Sequence, residues 1–183
     1  RVPISQTLTS SKSGFYLVPA NRRCEVVSAL QMLNLENIAD SELGLSEDMM
    51  TENAARGIAE VALSALNAGG RRLTQDNSSI PPYVVVYAGN NKSGLRAVAA
   101  GRQLRNHGII PTGIDPASGK VSIIDGTPLY IHAKYVVAMG APKKGLLQAM
   151  SQGEGVGDSR AWQLFVADIG LANQAWRKAG TRM

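Results

Sequence analysis

Capping residues and apolar residues at helical spacing predict two helices in the first half of the chain. Ser28 and Gln31 have the spacing of a capping box, so we predict a helix over 28–41 that ends near Gly44. Ser46 is followed by acidic residues, which are favoured in a first helical turn. Small and apolar residues then recur at helical spacing, which predicts a second helix over 46–68.

Strands and helices alternate after residue 82. Tyr83–Ala88 is a β-branched run between Pro82 and Gly89, and it is apolar on both faces, as in a central parallel strand. A helix over 94–106 follows, and Asn106 to Gly108 close it. Further strands are predicted near 133–140 and 162–170, each followed by a short helix. This alternation predicts an α/β fold.

Two parts of the chain do not fit this alternation. Residues 1–14 are rich in Ser and Thr and lack periodicity, so we interpret 1–22 as a linker or tail and 23–183 as one folded domain. After the helix over 94–106, only Ile109 and Ile110 are available for the next parallel strand before the loop "PTGIDPASG". Either the sheet is small, or the sequence omits a segment between His107 and Pro111.

The loop "GNNKSG" joins the strand at 83–88 to its helix. Gly89 and Gly94 allow close approach of an anion to the helix start, and Lys92 and Arg96 add positive charge. The spacing matches neither the G-x-G-x-x-G fingerprint nor a Walker A loop. The residues alone leave two equal alternatives, a bound anion or a plain turn that requires glycine.

Composition and charge favour a polyanionic partner but no metal or membrane. The chain has 183 residues, a formal charge of +5 and a pI of about 9.6, which favours RNA. One cysteine and two histidines argue against a zinc site and favour a reducing, intracellular compartment. No apolar run is long enough to cross a membrane.

Catalytic motifs are sparse. The sequence contains no G-x-S-x-G elbow, no H-E-x-x-H motif and no paired carboxylates. Asp115 and Asp168 are the best carboxylate candidates, because each follows an apolar stretch at a place where α/β sites form. Asp168 is equally well explained as a cap for the last helix.

Several segments, in this order, resemble the YjeF N-terminal-type domain: "LSEDMMTENAARGIAEVAL", "VVVYAGNNKSGLRAVAAGRQLRNHG", "PTGIDPASGKV", "AKYVVAMGAPKKGLL" and "FVADIGLANQAW". The resemblance begins near residue 23. It implies a Rossmann-like three-layer α/β/α sandwich. It also implies that residues 109 and 110 adjoin a segment, absent from this sequence, which supplies a catalytic aspartate in the NAD(P)H-hydrate epimerases of the family. Within the family, the chain is most similar to the C-terminal domains of the fungal Lsm/FDF/YjeF scaffold proteins that enhance mRNA decapping.

The resemblance also indicates how the loop departs from the enzymes. The epimerases resemble G-P-G-N-N-G-G-D-G here, with an Asn that serves a potassium ion and the substrate. Aligned on Gly101 and Arg102, the chain has Lys92 and Ser93 at the Asn pair and Arg96 at the Asp. Shifting the alignment to match Asn90 and Asn91 restores the pair but breaks that anchor. The predicted ligand or phosphate site comprises Gly89, Asn90, Asn91, Lys92, Ser93, Gly94, Arg96, Asn53, Thr112, Gly113, Asp115 and Asp168.

By this resemblance we expect a non-enzymatic scaffold and dimerisation module of the cytoplasm and its mRNA-decay granules (P-bodies). Its partners would be a second copy of the chain, RNA, and decapping and decay proteins bound through the full-length scaffold. The helices over 28–41 and 46–68 would form the dimer interface, unless they pack only on their own sheet. The alternatives are an active NAD(P)H-hydrate epimerase, or a domain that holds a NAD-type nucleotide without turnover. We expect no catalytic residue and no metal, and we assign RNA contacts to Arg71, Arg72, Lys92, Arg96, Arg102, Arg105, Lys143 and Lys144.

Overall fold

The computed structural model describes residues 2–7, 14–18, 20–68, 83–114, 133–156 and 161–180. The helices are α1 Ala29–Leu43, α2 Glu47–Ala68, α3 Lys92–Asn106, α4 Lys144–Ser151 and α5 Asn173–Lys178. The strands are β1 Val2–Thr7, β2 Gly14–Leu17, β3 Arg22–Cys24, β4 Tyr83–Tyr87, β5 Ile110–Ile114, β6 Tyr135–Met139 and β7 Gln163–Ala167. The chain is therefore a mixed α/β protein, as predicted.

The first two helices begin and end where the capping residues predict. The Gln31 amide donates to Ser28 Oγ at 3.1 Å, and the Ser28 amide donates to Gln31 Oε1 at 2.8 Å, which completes the capping box. Gly44 ends α1 with φ of 71°, a left-handed conformation that favours glycine. Ser46 Oγ accepts from the Met49 amide at 3.3 Å and so caps α2.

A five-stranded sheet has the order β3-β2-β1-β7-β6. Strands β6 and β7 are parallel, and the other neighbouring pairs are antiparallel. The interpretation of residues 1–22 as a linker was wrong for β1 and β2, because their main chains pair within this sheet. Backbone pairing to β7 gives residues 2–7 an extended structure that their Ser/Thr-rich sequence does not predict.

A separate parallel pair is formed by β4 and β5. The prediction that the loop begins at Pro111 was wrong, since β5 runs through Pro111 and Gly113 despite their low strand propensity. The prediction that β4 is buried on both faces was also wrong for the described part of the chain. Tyr83, Val85 and Tyr87 on one face are exposed, and only the alternate residues are partly buried.

Helix α2 lies at the centre of the described fold. It contacts α3 on one side and β6 and β7 on the other. Gly57 permits this approach, because a Cβ there would lie 2.6 Å from the Cβ of Ala167 on β7. A second contact to the β6–β7 edge comes from α1, whose Met32 and Leu35 belong to the same buried cluster as Ile169. These contacts hold α1 and α2 against the same end of β6 and β7.

Candidate functional site

The loop between β4 and α3 is a tight turn closed by its own residues. The Asn91 side chain caps α3, because its Oδ1 accepts from the Gly94 amide at 2.9 Å. The Asn91 amide donates to the Gly89 carbonyl at 2.8 Å. A Cβ at Gly94 would lie 1.8 Å from that carbonyl oxygen. Glycine is therefore needed at position 94 for close backbone packing, and the Gly94 amide is already bonded.

Four charged side chains form a closed ring beside this turn. Arg96 Nη2 donates to Glu36 Oε1 at 3.0 Å and to Glu47 Oε1 at 3.1 Å. Lys92 Nζ donates to the other oxygens of the same carboxylates, at 3.1 Å for Glu36 and 2.7 Å for Glu47. Each carboxylate bridges both cations, so the charges alternate and cancel. We call these four residues the charge ring.

The charge ring joins three helices, and two of its four side chains are shielded from water. Glu36 lies on α1, Glu47 begins α2, and Lys92 and Arg96 occupy the first two turns of α3. Arg96 and Glu36 are only 4% and 5% exposed. Hydrogen bonding to Glu47 is the main cause that raises the pKa of Lys92, so this side chain stays charged. Buried charges of this kind persist only when they are paired, which makes the ring a structural link between the helices.

One nitrogen atom of the charge ring lacks a hydrogen-bond partner among the described residues. Arg96 Nε is buried and has no hydrogen-bond partner within the described ranges. Thr51 Oγ1 on α2 is also buried and has no hydrogen-bond partner within those ranges. Buried polar atoms are nearly always bonded, so these two atoms are exceptions among the described residues.

Lys143 lies close enough to the charge ring to be influenced by it. Its Nζ donates to the carbonyls of Ala141 at 3.0 Å and Met139 at 3.4 Å, at the end of β6. Burial is the main cause that lowers the pKa of Lys143; the Glu36 charge opposes this effect and the Arg96 charge adds to it. Lys143 is therefore engaged with the main chain, and it is not a freely exposed contact for RNA.

Asn53 and Asp168 come together at the carboxyl end of β7. Asn53 Nδ2 donates to the Ile169 carbonyl at 3.3 Å, and its Oδ1 accepts from Arg56 at 3.2 Å. Asp168 Oδ1 accepts from the Gly170 amide at 2.8 Å and closes a local turn. The alternative interpretation of Asp168 as a cap for the last helix was wrong, because α5 begins after Ala172.

The remaining predicted residues are dispersed. Arg102 is ion-paired with Glu52, whereas Arg105, Lys144, Asn90 and Ser93 are exposed. Thr112 and Gly113 lie on β5, paired with Val85 and Val86. Outside the described residues lie Arg71, Arg72 and Asp115.

Sequence reasoning missed the two acidic members of the charge ring. Glu47 was interpreted only as a favourable residue at a helix start. Glu36 falls between Met32 and Ala39 on the buried side of α1. An acid on an apolar helix stripe is the signal that could have identified it, because such a group requires a cationic partner.

The family resemblance implies a monovalent cation and a nicotinamide nucleotide at this loop, and the residues present do not fit either group. The Lys92 ammonium already lies between the two carboxylates that a cation would need, with Arg96 on their remaining oxygens. A phosphate would compete with Asn91 for the Gly94 amide and with two carboxylates for the cations. Among the described residues no cluster of His, Cys, Asp and Glu is arranged to hold a metal ion.

Comparisons with known proteins leave the family open. No protein-family model matches the chain, and no curated protein matches it. In the part of the chain that the structure describes, no helix is both long enough and apolar enough to span a membrane.

Proposed function

We propose that the chain is a non-enzymatic assembly module, similar to the YjeF N-terminal-type domains of mRNA-decapping scaffolds. The observation that carries this proposal is the charge ring. A nucleotide-dependent relative would need free amides and a cation site at the strand-to-helix turn. In this chain the turn is instead flanked by Glu36, Glu47, Lys92 and Arg96, which are bonded to one another. In this proposal the fold is a three-layer Rossmann-like sandwich whose former ligand loop now joins helices.

Exposed apolar residues on the first two helices support self-association. Leu30 on α1 is 78% exposed and Leu33 is 44% exposed, on the side opposite Met32 and Leu35. Met49 at the start of α2 is 55% exposed. Exposed apolar side chains of this size favour a protein interface where they form a patch. A homodimer suits a scaffold, since two copies hold tethered decay proteins at high effective concentration.

The excess positive charge supports a contribution to RNA binding in cytoplasmic decay granules. Arg105 and Lys144 are exposed and form no ion pair within the described residues, so they can meet phosphates. Lys92 and Arg96 are neutralised in the charge ring, and we no longer assign them this role.

The decisive experiment is a titration of the protein with labelled single-stranded RNA at two salt concentrations, in parallel with labelled NAD. RNA binding that weakens steeply with salt, together with no saturable NAD binding, would support the assembly module. Saturable NAD binding by the unmodified protein would instead identify a retained nucleotide site. Turnover of hydrated NADH would identify an epimerase, and either of these results would overturn the proposal.

Self-association is tested by light scattering at micromolar protein. We expect a dimer for the unmodified protein and a monomer for the Leu30→Glu/Met49→Glu variant. The matched control is Leu95→Glu/Val98→Glu on α3, at positions of comparable exposure, which should leave the dimer intact. A monomer for the unmodified protein would refute the dimer.

A further inference from the structure

A groove between β3, the end of β6 and α5 carries three arginines that form no ion pair within the described residues. Its volume is about 1070 Å³, and Arg22 and Arg23 on β3 and Arg177 on α5 line it. Glu25 is the one acidic residue among its described lining residues, so these three arginines and one glutamate leave a charge of +2. None of the three arginines forms an ion pair with any other residue that the structure describes. We call this region the arginine groove.

The floor of the arginine groove offers no base-stacking surface among the residues that the structure describes. Trp176 is buried, and its Nε1 donates to the Leu171 carbonyl at 3.2 Å. Gly140 has φ of 77°, and a Cβ there would lie 2.4 Å from the methyl group of Met32. A ligand in the groove therefore meets guanidinium groups, and no free aromatic face among the described lining residues.

We propose that the arginine groove binds the phosphodiester backbone of single-stranded RNA without reading its sequence. Guanidinium groups bind phosphate through two parallel hydrogen bonds and stay charged at every physiological pH. The groove volume lies at the upper end of the range for small-molecule clefts, which favours a segment of a chain. The overall charge of +5 would draw a polyanion toward the protein. This inference assigns a site for the RNA binding proposed above, so it rests on that function.

The single cysteine allows a direct test of occupancy. Cys24 lies on the groove wall, is partly buried, and is the only cysteine of the chain. The rate of its alkylation by a maleimide should fall as oligouridylate is added at low salt. The rate should recover when salt is raised, because added cations displace the protein from phosphates. An unchanged rate at an RNA concentration that saturates binding would place the RNA elsewhere and overturn the inference.

A charge-removal variant measures the number of phosphate contacts. Each contact to a single strand contributes about 0.7 to the slope of log affinity against log salt, so Arg22→Gln/Arg23→Gln/Arg177→Gln should lower that slope by about 2. All three side chains are exposed, so the variant should fold. The matched control, Arg105→Gln/Lys144→Gln, removes exposed cations outside the groove and should retain Cys24 protection.

The outcomes separate this inference from the proposed function. If the unmodified protein binds RNA and the groove variant keeps its salt slope, the arginine groove is wrong and RNA binding stands. If the unmodified protein binds no RNA, both are overturned. If polyglutamate slows the alkylation of Cys24 and oligouridylate does not, the groove binds an acidic protein segment. That result would also overturn the inference.

Discussion

Arg96→Met is the most informative perturbation of the charge ring. Methionine keeps much of the buried stem of Arg96 but removes the two hydrogen bonds to Glu36 and Glu47. The ring then carries one net negative charge, and the buried Glu36 carboxylate retains Lys92 alone as an ion-pair partner within the described residues. Removal of one partner from a buried pair costs about 3–5 kcal/mol; we expect about 3 kcal/mol because Lys92 remains.

The assay is urea unfolding followed by tryptophan fluorescence, since both tryptophans are packed against buried clusters. A loss of about 3 kcal/mol corresponds to a fall of about 6–12 °C in Tm for a domain of this size. The matched control is Arg102→Met, which breaks the ion pair with Glu52 between half-exposed side chains. That change should cost about 1 kcal/mol or less, because exposed ion pairs contribute little.

A double variant tests whether the cost arises from the unpaired charge. Glu36→Leu combined with Arg96→Met removes one negative and one positive charge and leaves Lys92 paired with Glu47. We expect its free energy of unfolding to lie within about 1 kcal/mol of the unmodified protein. If Arg96→Met costs no more than Arg102→Met, the ring is effectively solvated and the structural role argued for it is refuted.

Three further predictions concern the same end of the fold. Gly94→Ala should destabilise the protein by about 3 kcal/mol in urea unfolding, because its Cβ would meet the Gly89 carbonyl at 1.8 Å; a urea midpoint equal to that of Ser93→Ala would contradict this. Asn91→Ala should cost about 1 kcal/mol by loss of the α3 cap, and Asn91→Asp should cost much less; equal losses would contradict the cap. Burial lowers the pKa of Lys143 in the folded protein, so the unfolded chain binds the proton more tightly. The free energy of unfolding should therefore rise with pH in the alkaline range, up to the ordinary lysine pKa of 10.5. Lys143→Met should flatten that rise in urea midpoints, and an unchanged pH profile would contradict it.

The helices were predictable because their signals are local. The capping box of Ser28 and Gln31 and the cap at Ser46 lie within a few residues of the helix starts that they fix. The bounds of α1 and α2 follow from these signals to within a few residues, and α3 begins two residues before its predicted start at residue 94. The strand at 83–88 was also predicted from its β-branched run, and the structure has it at Tyr83–Tyr87.

Sheet membership was not predictable, because it depends on partners far along the chain. Residues 2–7 become a strand by pairing with β7, whose sequence lies more than a hundred residues away. In the same way β5 takes its extended form from β4, although Pro111 and Gly113 disfavour strands. Local propensity depends only on neighbouring residues and carries no information about such pairing. Residues 2–7 were therefore predicted to belong to a tail, and residues 111–114 to a loop.

The charge ring was not predicted for a related reason, since a sequence motif shows which residues are charged but not which residues pair with them. Lys92 and Arg96 raise the positive charge of the loop sequence, yet the carboxylates that cancel them are 45 to 60 residues away. Glu36 alone carried a usable signal, as an acid on the buried stripe of α1. The basic loop seen in the sequence is therefore an electrically neutral link in the fold.

Pairing also decides where the excess positive charge of the chain is available to a partner. Lys92, Arg96, Arg102 and Lys178 each have a carboxylate partner, so they contribute little to the field outside the protein. The cations that lack an ion pair within the described residues include Arg22, Arg23, Arg105, Lys144 and Arg177. Three of these five converge on the arginine groove, whereas the loop that drew attention in the sequence has none of them. If a polyanion binds the described part of this chain, its affinity should therefore depend on the groove and be insensitive to Lys92→Gln.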